Sequence, residues 1–160
     1  MNVKIHRILF PTDFSPSAQQ AQNYACDLAV KFSAELHVLH VVADQLPVTG
    51  FKGSWVLPDD IMPRLVREAE LELTVRMEAA LTGDLTVVRS VHVGKPVQTI
   101  IDYAKGHEID VIVIGTHGHT GLSHLLLGSI AEKIVRLATC PVLTVHPKDH
   151  PFRMNETPQT

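Results

Sequence analysis

The chain has 160 residues, of which 45% are hydrophobic and 19% charged, and its formal net charge is -3. This length and composition suit one globular domain with a buried core and exclude disordered and fibrous classes. The basic residues are scattered rather than gathered in a stripe, which argues against a nucleic-acid partner. No apolar run is as long as a membrane-spanning helix, and the first residues lack a signal-peptide pattern. We therefore expect a cytoplasmic protein without a membrane partner.

The chain contains two cysteines, Cys26 in a helix-like stretch and Cys140 before a proline. A domain of this size does not need a disulfide for stability. Neither cysteine has a histidine and an acid beside it, so we expect two buried thiols without a catalytic role.

Five short apolar runs alternate with stretches of helical periodicity, which predicts an α/β fold with a mainly parallel sheet. The runs predicted as strands are Ile5 to Phe10, Glu35 to Val42, Thr86 to Val93, Val111 to Gly115 and Val142 to His146. Val111 to Gly115 is almost continuously apolar, as expected of a strand covered on both faces. We interpret it as the central strand.

Each strand except the last is followed by a stretch with apolar residues at helical spacing. The four stripes are Ala18, Ala21, Ala25, Leu28, Ala29 and Phe32; Ile61, Leu65, Ala69, Leu73, Met77 and Ala80; Val97, Ile100, Ile101 and Ala104; and Ile130, Ala131, Ile134, Val135 and Ala138. Ser15 with Pro16 predicts the start of the first helix, and Pro96 predicts the start of the third.

The segment Ala43 to Pro58 fits neither period and is longer than a usual connection, so we interpret it as a candidate lid. The end of the chain is polar and contains proline. We assign residues 1–147 to one domain and residues 148–160 to a flexible polar tail.

In open α/β sheets, ligands bind beyond the carboxyl ends of the strands, where the winding direction reverses. If the strand order is 3-2-1-4-5, the first and fourth strands are neighbours at that point. Pro11-Thr12-Asp13 follows the first strand, and Gly115-Thr116-His117-Gly118-His119 follows the fourth. We expect these two segments to face one crevice.

The second segment begins the glycine spacing G-2x-G-9x-G-S, formed by Gly115, Gly118, Gly128 and Ser129. Glycines let a backbone approach a phosphate chain, and a helix that starts at Gly128-Ser129 offers unpaired N–H groups to an anion. Alternatively, the glycines only form a turn, Ser129 only caps the helix, and Asp13 is only a turn residue. The P-loop and dinucleotide-binding patterns are absent.

Together with Pro11-Thr12-Asp13-Phe14-Ser15 and the ending Cys140-Pro141-Val142-Leu143-Thr144-Val145, this spacing resembles the universal stress protein family, from about Lys4 to Pro147. The glycine spacing is similar to that of the family's ATP-binding branch. The resemblance implies an adenine nucleotide alpha hydrolase-like fold: a three-layer, open twisted sheet of five strands in the order 3-2-1-4-5 with about four helices. It also implies a role in the stress response.

The resemblance further implies roles for individual residues. Asp13 and the backbone at Val41 would hold the adenine, and Pro11 and Thr12 would line the pocket. The residues around the ribose and phosphates would be Gly115, Thr116, His117, Gly118 and His119, with Gly128, Ser129 and Ile130 at the phosphate end. Similar proteins commonly carry arginine or another polar residue in place of His119, so any charge there would depend on pH near neutrality.

Ten histidines raise the question of a metal site. His37 and His40 are three residues apart in a strand, which places them on opposite faces and excludes a joint ligand pair. His117, His119 and His124 have no cysteine or acidic residue nearby, and we expect no bound metal there.

The sequence shows no Ser/His/Asp arrangement, no paired carboxylates in the glycine loop, and no lysine or arginine between Gly115 and Ser129 that would neutralise a transferring phosphoryl group. We therefore hypothesise a regulatory protein, not an enzyme, that holds ATP, or ADP or AMP, together with Mg²⁺. The alternatives are a slow ATPase or nucleotidyl-transferring enzyme, and a dimeric interaction module with a structural nucleotide. Val142 to His146 should be an apolar edge strand, which predicts a homodimer through it, as in related proteins.

Overall fold

The computed structural model describes residues 4–44, 60–80, 85–116 and 128–146. The strands are β1 (Arg7–Pro11), β2 (Glu35–Ala43), β3 (Val87–Gly94), β4 (Val111–Gly115) and β5 (Val142–Val145), and the helices are α1 (Pro16–Phe32), α2 (Ile61–Ala80), α3 (Pro96–Gly106) and α4 (Ser129–Leu137). All neighbouring strands are parallel, in the order β3-β2-β1-β4-β5. The predicted fold class and strand order are confirmed.

The sheet separates two apolar layers because successive strand residues point to opposite faces. Ile8 and Phe10 of β1 pack in the layer of α1 and α2. Leu9 of the same strand packs with Ile112 of β4 in the layer of α3 and α4. The three-layer arrangement follows from this alternation.

The prediction that Val111 to Gly115 is the central strand was wrong, because β1, not β4, lies in the middle of the sheet. The apolar run of β4 instead reflects cover from both helix layers and from β1 and β5 on either side. The ends of the other four strands also differ from the predicted ones: β2 ends one residue later, at Ala43, and β3 begins and ends one residue later, at Val87 and Gly94. β1 begins at Arg7 and includes Pro11, which pairs with Leu39, and β5 ends one residue before His146. Such ends depend on a single ladder pairing.

The predicted helix starts are confirmed at α1 and α3. Pro16 and Pro96 are the first residues of their helices, and the Ser15 hydroxyl accepts a hydrogen bond from the Ala18 amide at 3.2 Å. That bond satisfies one of the amides that a helix start leaves unpaired.

Three residues predicted to lie on buried helix faces are exposed: Phe32 by 39%, Ile130 by 41% and Val135 by 46%. Phe32 is the last residue of α1. The short helix α4 buries only Ala131 and Ile134 fully, so residues beside that narrow stripe stay open to solvent.

The two thiols, which were predicted to be buried, are only partly buried. Partial burial nevertheless raises the pKa of both Cys26 and Cys140, and Asp27 adds to the effect at Cys26. Both side chains are therefore protonated at neutral pH, and a protonated thiol is a poor nucleophile.

Residues 45–58 of the candidate lid, the tail 148–160 and the loop histidines His117, His119 and His124 lie outside the described residues. In the described ranges, no helix is both long and apolar enough to cross a membrane.

Candidate functional site

A cavity of about 280 Å³ opens at the carboxyl ends of β1, β2 and β4, between the first turns of α3 and α4. It contains every predicted site residue that the structure describes. These are Pro11, Thr12, Asp13, Val41, Gly115, Thr116, Gly128, Ser129 and Ile130. The predicted residues His117, Gly118 and His119 lie outside the described residues. The described residues of the two segments expected to face one crevice, 11–13 and 115–116, line it together.

Six further residues line the cavity and were not predicted as site residues. They are Ala18, Leu39, Pro96, Ile100, Ile114 and Ala131. Their side chains are apolar and form much of the cavity surface. One of them, Leu39, is completely buried. The signal for some of them was present in the sequence: Leu39 is near the end of a predicted strand and Pro96 starts a predicted helix, so both belong at the same sheet edge.

The turn between β1 and α1 is held by short-range hydrogen bonds. The Thr12 amide donates to the Leu39 carbonyl at 2.9 Å, and the Thr12 hydroxyl accepts from the Phe14 amide at 3.1 Å. The Asp13 carboxylate accepts from the Ser15 amide at 3.0 Å. Asp13 is thus a turn residue, as the alternative interpretation held. A carboxylate accepts several hydrogen bonds, so this does not exclude a ligand.

The end of β4 is fastened to β5 and α4 by Thr116, which is completely buried. Its amide donates to the Val145 carbonyl at 3.0 Å, and its carbonyl accepts from the Gly128 amide at 2.6 Å. Its hydroxyl lies 3.1 Å from Nδ1 of His146. Thr116 therefore fixes the start of α4 next to the end of β4.

Gly115 has a structural reason to be glycine. A Cβ at this position would lie 2.8 Å from the Ser17 hydroxyl oxygen and 2.9 Å from the Ser17 carbonyl oxygen. The absence of a side chain lets the first turn of α1 approach β4. A structural role for this glycine therefore has support from packing, independently of any ligand.

The start of α4 has no side-chain cap among the described residues. Gly128 occupies the capping position, and Ser129 is the first helical residue. The first amides of a helix lack intrahelical acceptors and carry a partial positive charge of about half a unit. Gly128, Ser129 and Ile130 all line the cavity, so the start of α4 lies at its wall.

The two histidines of β2 lie on opposite faces, as predicted. His37 is buried, with Nε2 2.7 Å from Glu35 and Nδ1 2.9 Å from the Tyr103 hydroxyl. Nδ1 of His40 lies 2.9 Å from the Thr12 carbonyl oxygen. Burial lowers the pKa of both imidazoles. No group of three or more potential metal ligands occurs in the described part of the chain.

The sequence profile of the Universal stress protein family matches residues 4–146. Universal stress protein MJ0531 of Methanocaldococcus jannaschii is 36% identical over 141 residues, which cover 87% of this chain and 81% of the relative. Universal stress protein A homolog 1 of Coxiella burnetii is 36% identical over 150 residues, 89% of this chain and 96% of the relative. The structure of protein MJ0577 superimposes with a TM-score of 0.78 at 28% identity, covering 92% of this chain and 99% of that one.

Proposed function

Because the chain belongs to the universal stress protein family, we propose that it binds ATP, or ADP or AMP, together with Mg²⁺, in the cavity between the β1–α1 turn and the start of α4. The protein then acts as a regulator in the stress response. Its nucleotide-loaded state is what a partner recognises.

The cavity combines an apolar surface, a carboxylate and a helix start, which suit the ring, the amine and the phosphates of an adenine nucleotide. Leu39, Ile100 and Ile114 offer an apolar surface for a planar base. The Asp13 carboxylate can accept a hydrogen bond from the exocyclic amine of adenine. The start of α4, which has no side-chain cap among the described residues, offers amides and a positive dipole for phosphate. The position of this helix start at the cavity wall is the observation that best supports the proposal.

Adenine nucleotides occur in other proteins of this fold. One universal stress protein was crystallised in complex with cAMP; it is 24% identical to this chain, with a TM-score of 0.60. Another, from Arabidopsis thaliana, has AMP bound and is 18% identical, with a TM-score of 0.55. At these identities they support the proposal only through the shared fold.

We expect the site to hold its nucleotide rather than turn it over. Among the described residues that line the cavity, Asp13 is the single carboxylate and no side chain is lysine or arginine. Phosphoryl transfer needs cationic groups that stabilise charge on the transferring group. Steady-state phosphate release that rises with protein concentration would instead support the slow ATPase.

We expect a homodimer formed through β5, which the described part of the sheet leaves at its edge. Leu143 on this strand is 38% exposed, and Leu137 at the end of α4 is 57% exposed. An unpaired apolar edge favours pairing with a second chain. Sedimentation should give a dimer at micromolar concentration, and Leu143→Lys should give a monomer. A wild-type protein that sediments as a monomer would contradict this expectation.

The proposed nucleotide is tested by purifying the protein without added nucleotide and denaturing it. Ion-exchange chromatography of the released small molecules should then show an adenine nucleotide, and calorimetry should show that the emptied protein binds Mg·ATP. If no nucleotide is released and added Mg·ATP gives no binding, the proposal is wrong.

A further inference from the structure

We propose that His40 is a positioning residue of this site, which fixes the adenine end of the cavity through the main-chain carbonyl of Thr12; the inference rests on the proposed function. His40 does not line the cavity. It acts on residues that do.

His40 lies on the far side of the sheet from the cavity. Its neighbours Leu39 and Val41 line the cavity on the layer of α3 and α4, and alternation along β2 turns His40 to the layer of α1 and α2. From there its imidazole stacks on Phe14, with ring centroids 4.4 Å apart. A nucleotide in the cavity would therefore touch the turn that His40 holds, and not His40 itself.

The hydrogen bond of His40 controls a peptide plane. Nδ1 lies 2.9 Å from the Thr12 carbonyl oxygen, so the Nδ1–H tautomer donates to it. The Thr12 carbonyl and the Asp13 amide belong to one planar peptide unit. Fixing that oxygen fixes the direction in which the chain enters Asp13. The Thr12 amide, which belongs to the preceding peptide unit, is held by the Leu39 carbonyl, so the peptide units on both sides of Thr12 are anchored.

The stacking contact acts on the same turn two residues later. Phe14 has φ of 64°, a left-handed conformation that is costly for a bulky residue. Such conformations persist where the surroundings hold them in place, and they occur often at ligand sites. His40 packs on the Phe14 ring at an interplanar angle of 20°, and Cζ of Arg76 on α2 lies 5.3 Å from the ring centroid. His40 thus contacts both neighbours of Asp13, Thr12 through a hydrogen bond and Phe14 through ring stacking, and so holds Asp13 in place between them.

The charge state of His40 agrees with this role. Burial lowers its pKa, while the Thr12 hydrogen bond and the Asp13 carboxylate act in the opposite direction. The imidazole is therefore neutral at neutral pH. One proton remains, and the Thr12 carbonyl oxygen requires it on Nδ1.

The test compares His40→Leu, which removes the donor, with His40→Asn, whose side-chain amide places a donor near the position of Nδ1. Calorimetry measures the dissociation constants for Mg·ATP and for adenosine. We expect His40→Leu to weaken both ligands by about fivefold, because one hydrogen bond that positions the adenine end is lost. We expect His40→Asn to remain within about twofold of the wild type.

The matched control is His37→Leu, which removes a buried histidine of the same strand that faces away from this turn. It should lower the free energy of unfolding without changing either dissociation constant. Should His40→Leu not fold, His40→Gln replaces it, because the longer amide carries its donor away from the Nδ1 position.

Three results would overturn the inference. If the donor-free variant binds both ligands like the wild type, His40 does not position the site, although the proposed function stands. If His40→Asn is as weak as the donor-free variant, the loss is one of packing. If the wild type binds neither ligand, the proposed function fails and this inference fails with it.

Discussion

Asp13 has two roles that substitutions can separate. Its carboxylate accepts the Ser15 amide at 3.0 Å within the turn, and we propose that it also accepts the adenine amine. Asp13→Asn keeps a side-chain oxygen for both bonds but removes the charge, whereas Asp13→Ala removes both bonds.

The expected magnitudes follow from hydrogen-bond energies. A hydrogen bond to a charged group contributes about 1.5–3 kcal/mol, so Asp13→Ala should weaken ATP binding by at least about tenfold. Charge-assisted bonds are about twice as strong as neutral ones, so Asp13→Asn should lose about half of this free energy. Loss of the turn bond should also lower the free energy of unfolding of Asp13→Ala by about 1 kcal/mol, whereas Asp13→Asn stays close to the wild type.

Calorimetric titration with Mg·ATP and urea unfolding of each variant measure the two effects. Ser15→Ala is the matched control, because it removes the cap on the Ala18 amide and destabilises the same helix start by about 1 kcal/mol. It leaves the Asp13 carboxylate in place, so its affinity for ATP should be unchanged. If Asp13→Ala binds ATP as tightly as the wild type, Asp13 is only a turn residue and the proposed adenine contact is wrong.

Three further predictions concern the phosphate end, the packing of Gly115 and pH. Gly128 has φ of -57° and ψ of 145°, a conformation open to any residue, so Gly128→Val should fold. The substitution should weaken ATP binding by at least about tenfold and leave adenosine binding within about twofold of the wild type. Equal losses for both ligands would place the phosphates elsewhere. Gly115→Ala should lower the free energy of unfolding by about 1–3 kcal/mol, because the added Cβ would clash with Ser17. The control is Gly106→Ala, whose Cβ would meet nothing within 4 Å and which should not destabilise the protein in the same urea titration. Burial lowers the pKa of His37 and His40, so below about pH 6.5 the unfolded chain binds more protons than the folded one. The free energy of unfolding should therefore fall as the pH drops below that value. Urea titrations over a pH series should show a shallower decline for His40→Asn, and an unchanged slope would contradict this assignment.

The fold could be predicted from sequence because periodicity and the carboxyl-end rule act locally. Short apolar runs and helical periodicity identified the strands and helices of the described residues, and the strand order that the family resemblance implied places Pro11 and Gly115 at one cavity. The central strand was misassigned because a strand covered by helices on both faces is apolar wherever it lies in the sheet. Val135 was misassigned because periodicity does not show how much of a helix its neighbours cover.

The long-range contacts of the candidate site could not be predicted from the sequence. The packing of Gly115 on Ser17 joins residues far apart in the chain, and no pattern in the sequence indicated it. The same holds for His40, whose partner Thr12 lies on the neighbouring strand's turn. Such contacts depend on strand register, which the hydrophobic pattern alone does not define to the residue.

The most direct test of the proposed nucleotide site is a crystal structure of the protein grown with Mg·ATP. We expect the adenine beside Asp13 and the backbone of Val41, with the terminal phosphates beside Gly128 and on the amides of Ser129 and Ile130. Density for the nucleotide outside this cavity, or an empty cavity at saturating Mg·ATP, would contradict the account.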